Sequence, residues 1–203
     1  MDPRNILNNE KIFQFVELKY VDGAQTIEGI NEITEDTFLE GKSISEALIQ
    51  AGKSANLDPY FIASRLIQEQ GRKGTVLSKG YEYNGTIIYN PFNIRATGNS
   101  TEEILENAAK YAYEQGWDTL EKGLMGGIEF VKEGYINKGQ NTLYLQKFDI
   151  VNQDEKLYSN QYMQNLLAPE SEASNMLEIY IISDTVDSKL NFIIPLYENM
   201  PEK

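Results

Sequence analysis

Neither histidine nor cysteine occurs anywhere in the 203 residues of this chain. Disulfides, thiol nucleophiles, Ser-His-Asp triads, imidazole bases and nearly all zinc sites are excluded at once. Any acid–base chemistry falls to Asp, Glu, Tyr or Lys. Positive charge is also scarce: 18 Lys and Arg stand against 31 Asp and Glu, a net charge of -13. A phosphate backbone is therefore a poor partner, because the long-range attraction would have the wrong sign. Neutral or zwitterionic substrates fit better. No apolar run approaches the length needed to span a bilayer, so membrane insertion is not expected. The N-terminus carries no basic-then-apolar leader.

What is present suits a soluble globular protein, with 41% hydrophobic and 24% charged residues. We read a single domain over residues 1–203, with an N-terminal strand and linker-like segment over about 1–40 and a helical core over about 41–203. "KIFQFVELKYVDG" reads as a strand closed by a turn at Asp22-Gly23. Ser43 with Glu46 forms a capping-box pattern ahead of Ile44, Ala47, Leu48 and Ala51 at helix spacing. Asn84-Gly85 between two Tyr/Ile-rich arms predicts a hairpin. Ser100 and Glu103 cap a helix carrying Ile104, Leu105, Ala108 and Ala112. Leu120, Leu124, Ile128 and Val131 stripe the next, where Gly123 and Gly127 leave room for close packing. A short helix is expected over Asn160–Leu167, a longer one over Ser171–Ile182, and "LNFIIPLYENM" reads as a closing strand. The fold class expected is mainly α with a small β element.

Asp58-Pro59 opens a helix that ends at Gly71. Ile62 and Leu66 lie on its apolar stripe and Glu69 lies at the stripe's edge, with Arg65 on its other flank. One reading makes Glu69 a solvated rim residue in a weak pair with Arg65. The other makes it a half-buried carboxyl whose desolvation keeps it protonated for donation to a leaving oxygen. Periodicity leaves both open.

"YFIASRLIQEQG", then "YNPFNIRA", then "GWDTLEKGLMGGIEFVKEGYINKGQNTLYLQKF" resemble, in this order, the pattern of glycoside hydrolase family 73. "FQFVELKYVDG", "QYMQNLLAPESEA" and "IIPLYENMP" extend the resemblance over most of the chain. The resemblance implies a lysozyme-like helical domain with its hairpin beside an active-site groove, and an endo-β-N-acetylglucosaminidase activity of the bacterial autolysin kind. It places the catalytic acid on Glu69, with Gln70 where Thr is frequent. The groove-forming element falls on Tyr89, Asn90, Phe92, Asn93 and Ile94, Asn93 standing where Gly is commoner. Tyr135 corresponds to a tyrosine that supports the reacting sugar opposite the acid. The implied partner is the peptidoglycan glycan strand, with no cofactor. The natural parent is expected to be secreted to the cell wall, with a leader and wall-binding modules outside this chain.

Each site residue has a plainer reading. Tyr135 is in phase with Leu124, Ile128 and Val131 and could be a core aromatic. Trp117, the only tryptophan, either stacks on a sugar face or plugs a helix junction. The amides of Asn90 and Gln140 suit sugar hydroxyls and acetamides, and equally suit bracing a turn. A two-carboxylate mechanism needs a partner acid, for which Glu82 on the hairpin is the first candidate and Glu102 and Glu103 are alternatives. The preferred route is substrate-assisted, with the acetamide oxygen attacking the anomeric carbon. "GLMGG" at 123–127 resembles an element of lytic transglycosylases, but its helical setting and Gly126 favour a packing role. The rival functions are a lytic transglycosylase or muramidase of the same fold, cutting after N-acetylmuramic acid, and a non-catalytic wall-binding domain.

Overall fold

The computed structural model describes residues 11–151, 156–162 and 165–198. The chain forms two compact units, Thr26–Val131 and Met1–Gln25 with Lys132–Lys203.

In the first unit, α1 (Ile27–Thr34), α2 (Lys42–Ala55) and α3 (Pro59–Gln70) pack on one another. Thr26 caps α1 by accepting from the Gly29 amide. Gly29 is required there: a Cβ would come within 2.1 Å of the Tyr60 hydroxyl of α3. The expected Ser43 cap does not form. Gly41 is the N-cap of α2 and its carbonyl receives the Ile44 and Ser45 amides, so Ser43 is already inside the helix. The expected start of α3 is borne out, with Asp58 accepting from the Tyr60 and Phe61 amides and Pro59 in the first turn.

A short helix α4 (Val76–Lys79) leads into β1 (Tyr81–Tyr83) and β2 (Thr86–Ile88), an antiparallel hairpin that pairs Glu82 with Ile87. Asn84 and Gly85 both have positive φ, 50° and 76°, the backbone a tight two-residue hairpin demands. Tyr83 docks the hairpin on α5 (Thr101–Glu114): its ring meets Tyr113 edge-on at 5.6 Å and its hydroxyl donates to Glu106. That bond to a carboxylate raises the Tyr83 pKa. Ser100 caps α5 as expected, whereas Glu103 reaches the Asn99 amide rather than that of the cap residue. Along α6 (Leu120–Gly134), Gly123, Leu124, Gly127, Ile128 and Val131 are buried.

The second unit contains α7 (Leu143–Phe148) and α8 (Ala168–Ile182), with an aromatic core built on the N-terminal segment. The expected N-terminal strand is instead a 3-10 turn over Ile12–Phe15 followed by one bridge, Val16 to Phe192. Phe13, Gln14 and Phe15 are all buried, so the in–out alternation of a half-buried strand is lost. Phe13 meets Tyr180 and Phe192, while Phe15 meets Tyr144 at 4.9 Å. The closing strand is likewise reduced to Phe192, where the Asn191 carbonyl and the Ile193 amide bond to Glu17 and Phe15. Pro195, two residues on, has no N–H to extend the ladder. The end of that segment, Asn199 and Met200, lies outside the described residues.

The helix expected over Asn160–Leu167 is not formed by its described residues; Met163 and Gln164 lie outside them. Asn160 is held instead by its own hydrogen bonds, its amide nitrogen donating to Asp149 and its side chain to Gly134 and Gln140. α8 begins at Ala168, three residues before its expected start, with Pro169 in its first turn. Among the described residues no helix is long and apolar enough to cross a membrane.

Candidate active site

α3 carries the candidate acid because its two ends are well specified. Asp58 satisfies the first amides, and Gly71, at φ 69°, stops the helix directly after Gln70. Tyr60, Phe61, Ile62 and Leu66 are buried. Arg65 is also buried, 4% exposed, with its guanidinium 4.8 Å from the Phe61 ring centre. Arg65 is thus a buried residue and not a solvated one. Glu69 occupies the penultimate position of α3 and is partly buried.

The Tyr89–Ile94 segment lies against this helix end. Asn93 adopts the left-handed conformation at φ 53°, where a glycine is the easy choice and asparagine the best-tolerated side chain. Its Nδ2 donates to the Glu69 carbonyl at 2.9 Å and its Oδ1 accepts from Gln70 Nε2 at 2.8 Å. Gln70 Nε2 also donates to the Pro91 carbonyl at 2.9 Å, and Gln70 Oε1 accepts from the Thr75 hydroxyl. So the residue after the acid is a buried tie between α3, the hairpin exit and the approach to α4. The sequence marks Gln70 only as standing where Thr is frequent, a change beside Glu69 that need not affect it. Only its burial reveals the tie.

Several expected groove residues are braces instead. Asn90 is 0% exposed; its Nδ2 donates to the Ile94 and Ala108 carbonyls and its Oδ1 accepts from the Ile94 amide. No part of that amide is left for a sugar. Phe92 is buried against Gly127, where a Cβ would stand only 2.0 Å from its ring. Trp117, 6% exposed, plugs the junction, edge-on to Tyr111 at 5.5 Å and tight against Gly126. Those glycines account for "GLMGG" as a packing element. Tyr89 is partly exposed, its amide bonded to the Trp117 carbonyl at 2.8 Å. Glu82 is exposed at the centre of β1.

In the second unit, Tyr135 follows α6 directly and is partly exposed, its ring edge-on to Tyr162 at 5.9 Å. It is not a core aromatic. Its carbonyl accepts from the Gln140 amide at 3.0 Å. Gln140 is fully buried and braces this turn, donating to the Leu145 and Asn160 carbonyls and accepting from Asn160. It offers no amide to a ligand. Asn160, unmarked in the sequence, holds both this turn and the end of α6.

Among the described residues no group of His, Cys, Asp and Glu could hold a metal ion. A cleft of about 310 Å³ is lined by Asn31, Glu32, Thr34, Glu35, Glu40 and Gly41, and none of the candidate residues lines it.

No protein-family model matches the chain. It is 28% identical over 205 residues to beta-N-acetylglucosaminidase of Bacillus subtilis, an alignment covering 97% of this chain and 22% of that protein. It is 29% identical over 164 residues to the bifunctional autolysin of Staphylococcus aureus (strain Mu50), covering 73% of this chain and 13% of that protein. The chain thus spans less than a quarter of the length of either relative. The crystal structure of a major bifunctional autolysin matches it with a TM-score of 0.70 and 26% identity, over 98% of this chain and 79% of that one. The mainly helical fold with a small hairpin is borne out.

Proposed function

We propose, from the premise that this chain is a homologue of bacterial glucosaminidases and autolysins, consistent with glycoside hydrolase family 73, that it hydrolyses the β-1,4 bond after N-acetylglucosamine in peptidoglycan. The observation that carries the reading is Glu69, partly buried at the end of α3, with its peptide held by the Tyr89–Ile94 segment. Glu69 donates its proton to the leaving glycosidic oxygen as the substrate's acetamide oxygen attacks the anomeric carbon. The Glu69 carboxylate then takes a proton from the water that opens the cyclic intermediate, which restores the acid. Tyr135 assists by stabilising charge in the transition state, a role that rests on the sequence resemblance.

Glu82 has no part in this route. Its exposed mid-strand position supports that assignment, since a nucleophilic carboxylate works in a shielded site. A glycan in the cell wall implies action outside the cell. A chain with net charge -13 has little intrinsic attraction for anionic wall polymers. Wall-binding modules elsewhere in the parent protein would raise its local concentration on the substrate.

Digestion of purified peptidoglycan followed by mass spectrometry of the new ends tests the reading. Reducing N-acetylglucosamine ends are expected. Reducing muramic acid ends would assign a muramidase, and anhydro-muramic ends a lytic transglycosylase. Glu69→Gln should fold like the parent and lose about 10²–10⁴-fold in kcat, the usual worth of a general acid. A Glu69→Gln protein that digests at the parent rate would remove Glu69 from the chemistry.

A further inference from the structure

The last four carbonyls of an α-helix have no partner within the helix, and an end left so frays. In α3 the Glu69 carbonyl is one of these, and its donor comes from outside, from Asn93 Nδ2 at 2.9 Å. Asn93 is itself oriented. Its Oδ1 faces Gln70 Nε2 at 2.8 Å, so a flipped Asn93 amide would set donor against donor. Gln70 is fixed in the same manner: its nitrogen faces the Pro91 carbonyl and its oxygen faces the Thr75 hydroxyl. Reversing it would set the Gln70 oxygen against two acceptors, the Pro91 carbonyl and Asn93 Oδ1. Thr75, Gln70, Asn93 and the Glu69 peptide therefore form one chain of hydrogen bonds with a single consistent direction.

We propose that Gln70 and Asn93 together are positioning residues for Glu69, locking the last turn of α3 so that its carboxyl meets the scissile oxygen without a search. This rests on the reading of Glu69 as the general acid. Neither amide needs to touch substrate. Both its donor and its acceptor side serve the clamp, and Gln70 is 5% exposed. Each of the two stands where another residue is commoner in the family that the sequence resembles, and the structure joins them at 2.8 Å as a pair. A misplacement of about 1 Å can cost roughly 10²-fold in rate, so a frayed turn would act on kcat.

The test is Asn93→Gly, which suits the φ of 53° and removes only the amide. On purified peptidoglycan, with reducing ends counted per folded molecule, we expect kcat to fall about tenfold or more with KM within about twofold. Gln70→Met keeps the length and removes the amide, and should give the same split. The double variant should lose no more than either single one, because either change breaks the same clamp. Parent-level kcat in a folded single variant, additive losses in the double, or losses confined to melting temperature overturn the proposal. A parent that releases no reducing ends at all would instead overturn the function on which it rests.

Discussion

Gly127→Ala places one methyl group where the helix α6 meets the Tyr89–Ile94 segment, and its cost can be worked out. A Cβ at residue 127 would stand 2.0 Å from Phe92 Cδ2, 2.6 Å from Cε2 and 2.7 Å from Cγ. Carbon atoms settle at about 3.5–4.0 Å, so the ring would have to retreat by about 1.5 Å. Phe92 is 9% exposed and enclosed, which leaves the ring little free space. The general cost of such overpacking is about 1–3 kcal/mol. At about 2–4 °C per kcal/mol for a chain of this size, differential scanning calorimetry should show a lower melting temperature by several degrees. Activity should fall as well, because Phe92 immediately precedes Asn93, the donor to the Glu69 peptide. Gly134→Ala at the end of the same helix is the matched control. Nothing lies within 4 Å of its Cβ, and alanine suits a helix better by up to about 1 kcal/mol. If Gly127→Ala melts with Gly134→Ala, or above it, the close contact between α6 and Phe92 is wrong.

Glu82→Gln should digest peptidoglycan at close to the parent rate, measured by release of reducing ends; near-total loss would mean that a second carboxylate takes part and would refute the substrate-assisted route. The hydroxyl of Tyr144 is held well above the ordinary tyrosine pKa by burial and by its bond to Tyr197 at 2.7 Å. A raised pKa means the folded state favours the neutral phenol. That stability is fully present below about pH 10, the unfolded value, and is lost as pH rises toward the folded one. Urea unfolding from pH 9 upward should therefore show falling stability with a shallower slope in Tyr144→Phe, and an unchanged slope would refute the assignment.

Much of the architecture could be read from local chemistry. Asp58-Pro59 and Gly71 bound α3, and Asn84-Gly85 builds the hairpin, because capping and positive φ act within a few residues and need no distant partner. The terminal strands could not be read so. "IFQF" and "NFII" have strand-like side chains, yet Phe13 and Phe15 are drawn to Tyr180 and Tyr144 far along the chain, and their pairing shrinks to a single bridge.

The candidate site divides along the same line. Residue types alone removed imidazole, thiol and nearly all zinc chemistry and left Asp, Glu, Tyr or Lys, while the family resemblance, not the periodicity, pointed to Glu69. Whether an amide beside it faces a sugar or a peptide carbonyl depends on what the fold brings within 3 Å. Asn90 and Gln140 face carbonyls, and Gln70 emerges as a tie that no spacing announces. A hydrogen bond is satisfied by geometry across the chain, whereas a cap or a turn is satisfied by its neighbours. That difference in range is why local signals in the chain suffice to delimit the helix carrying Glu69, while the bond from Asn93 to the Glu69 carbonyl exists only once the fold has brought the two segments together.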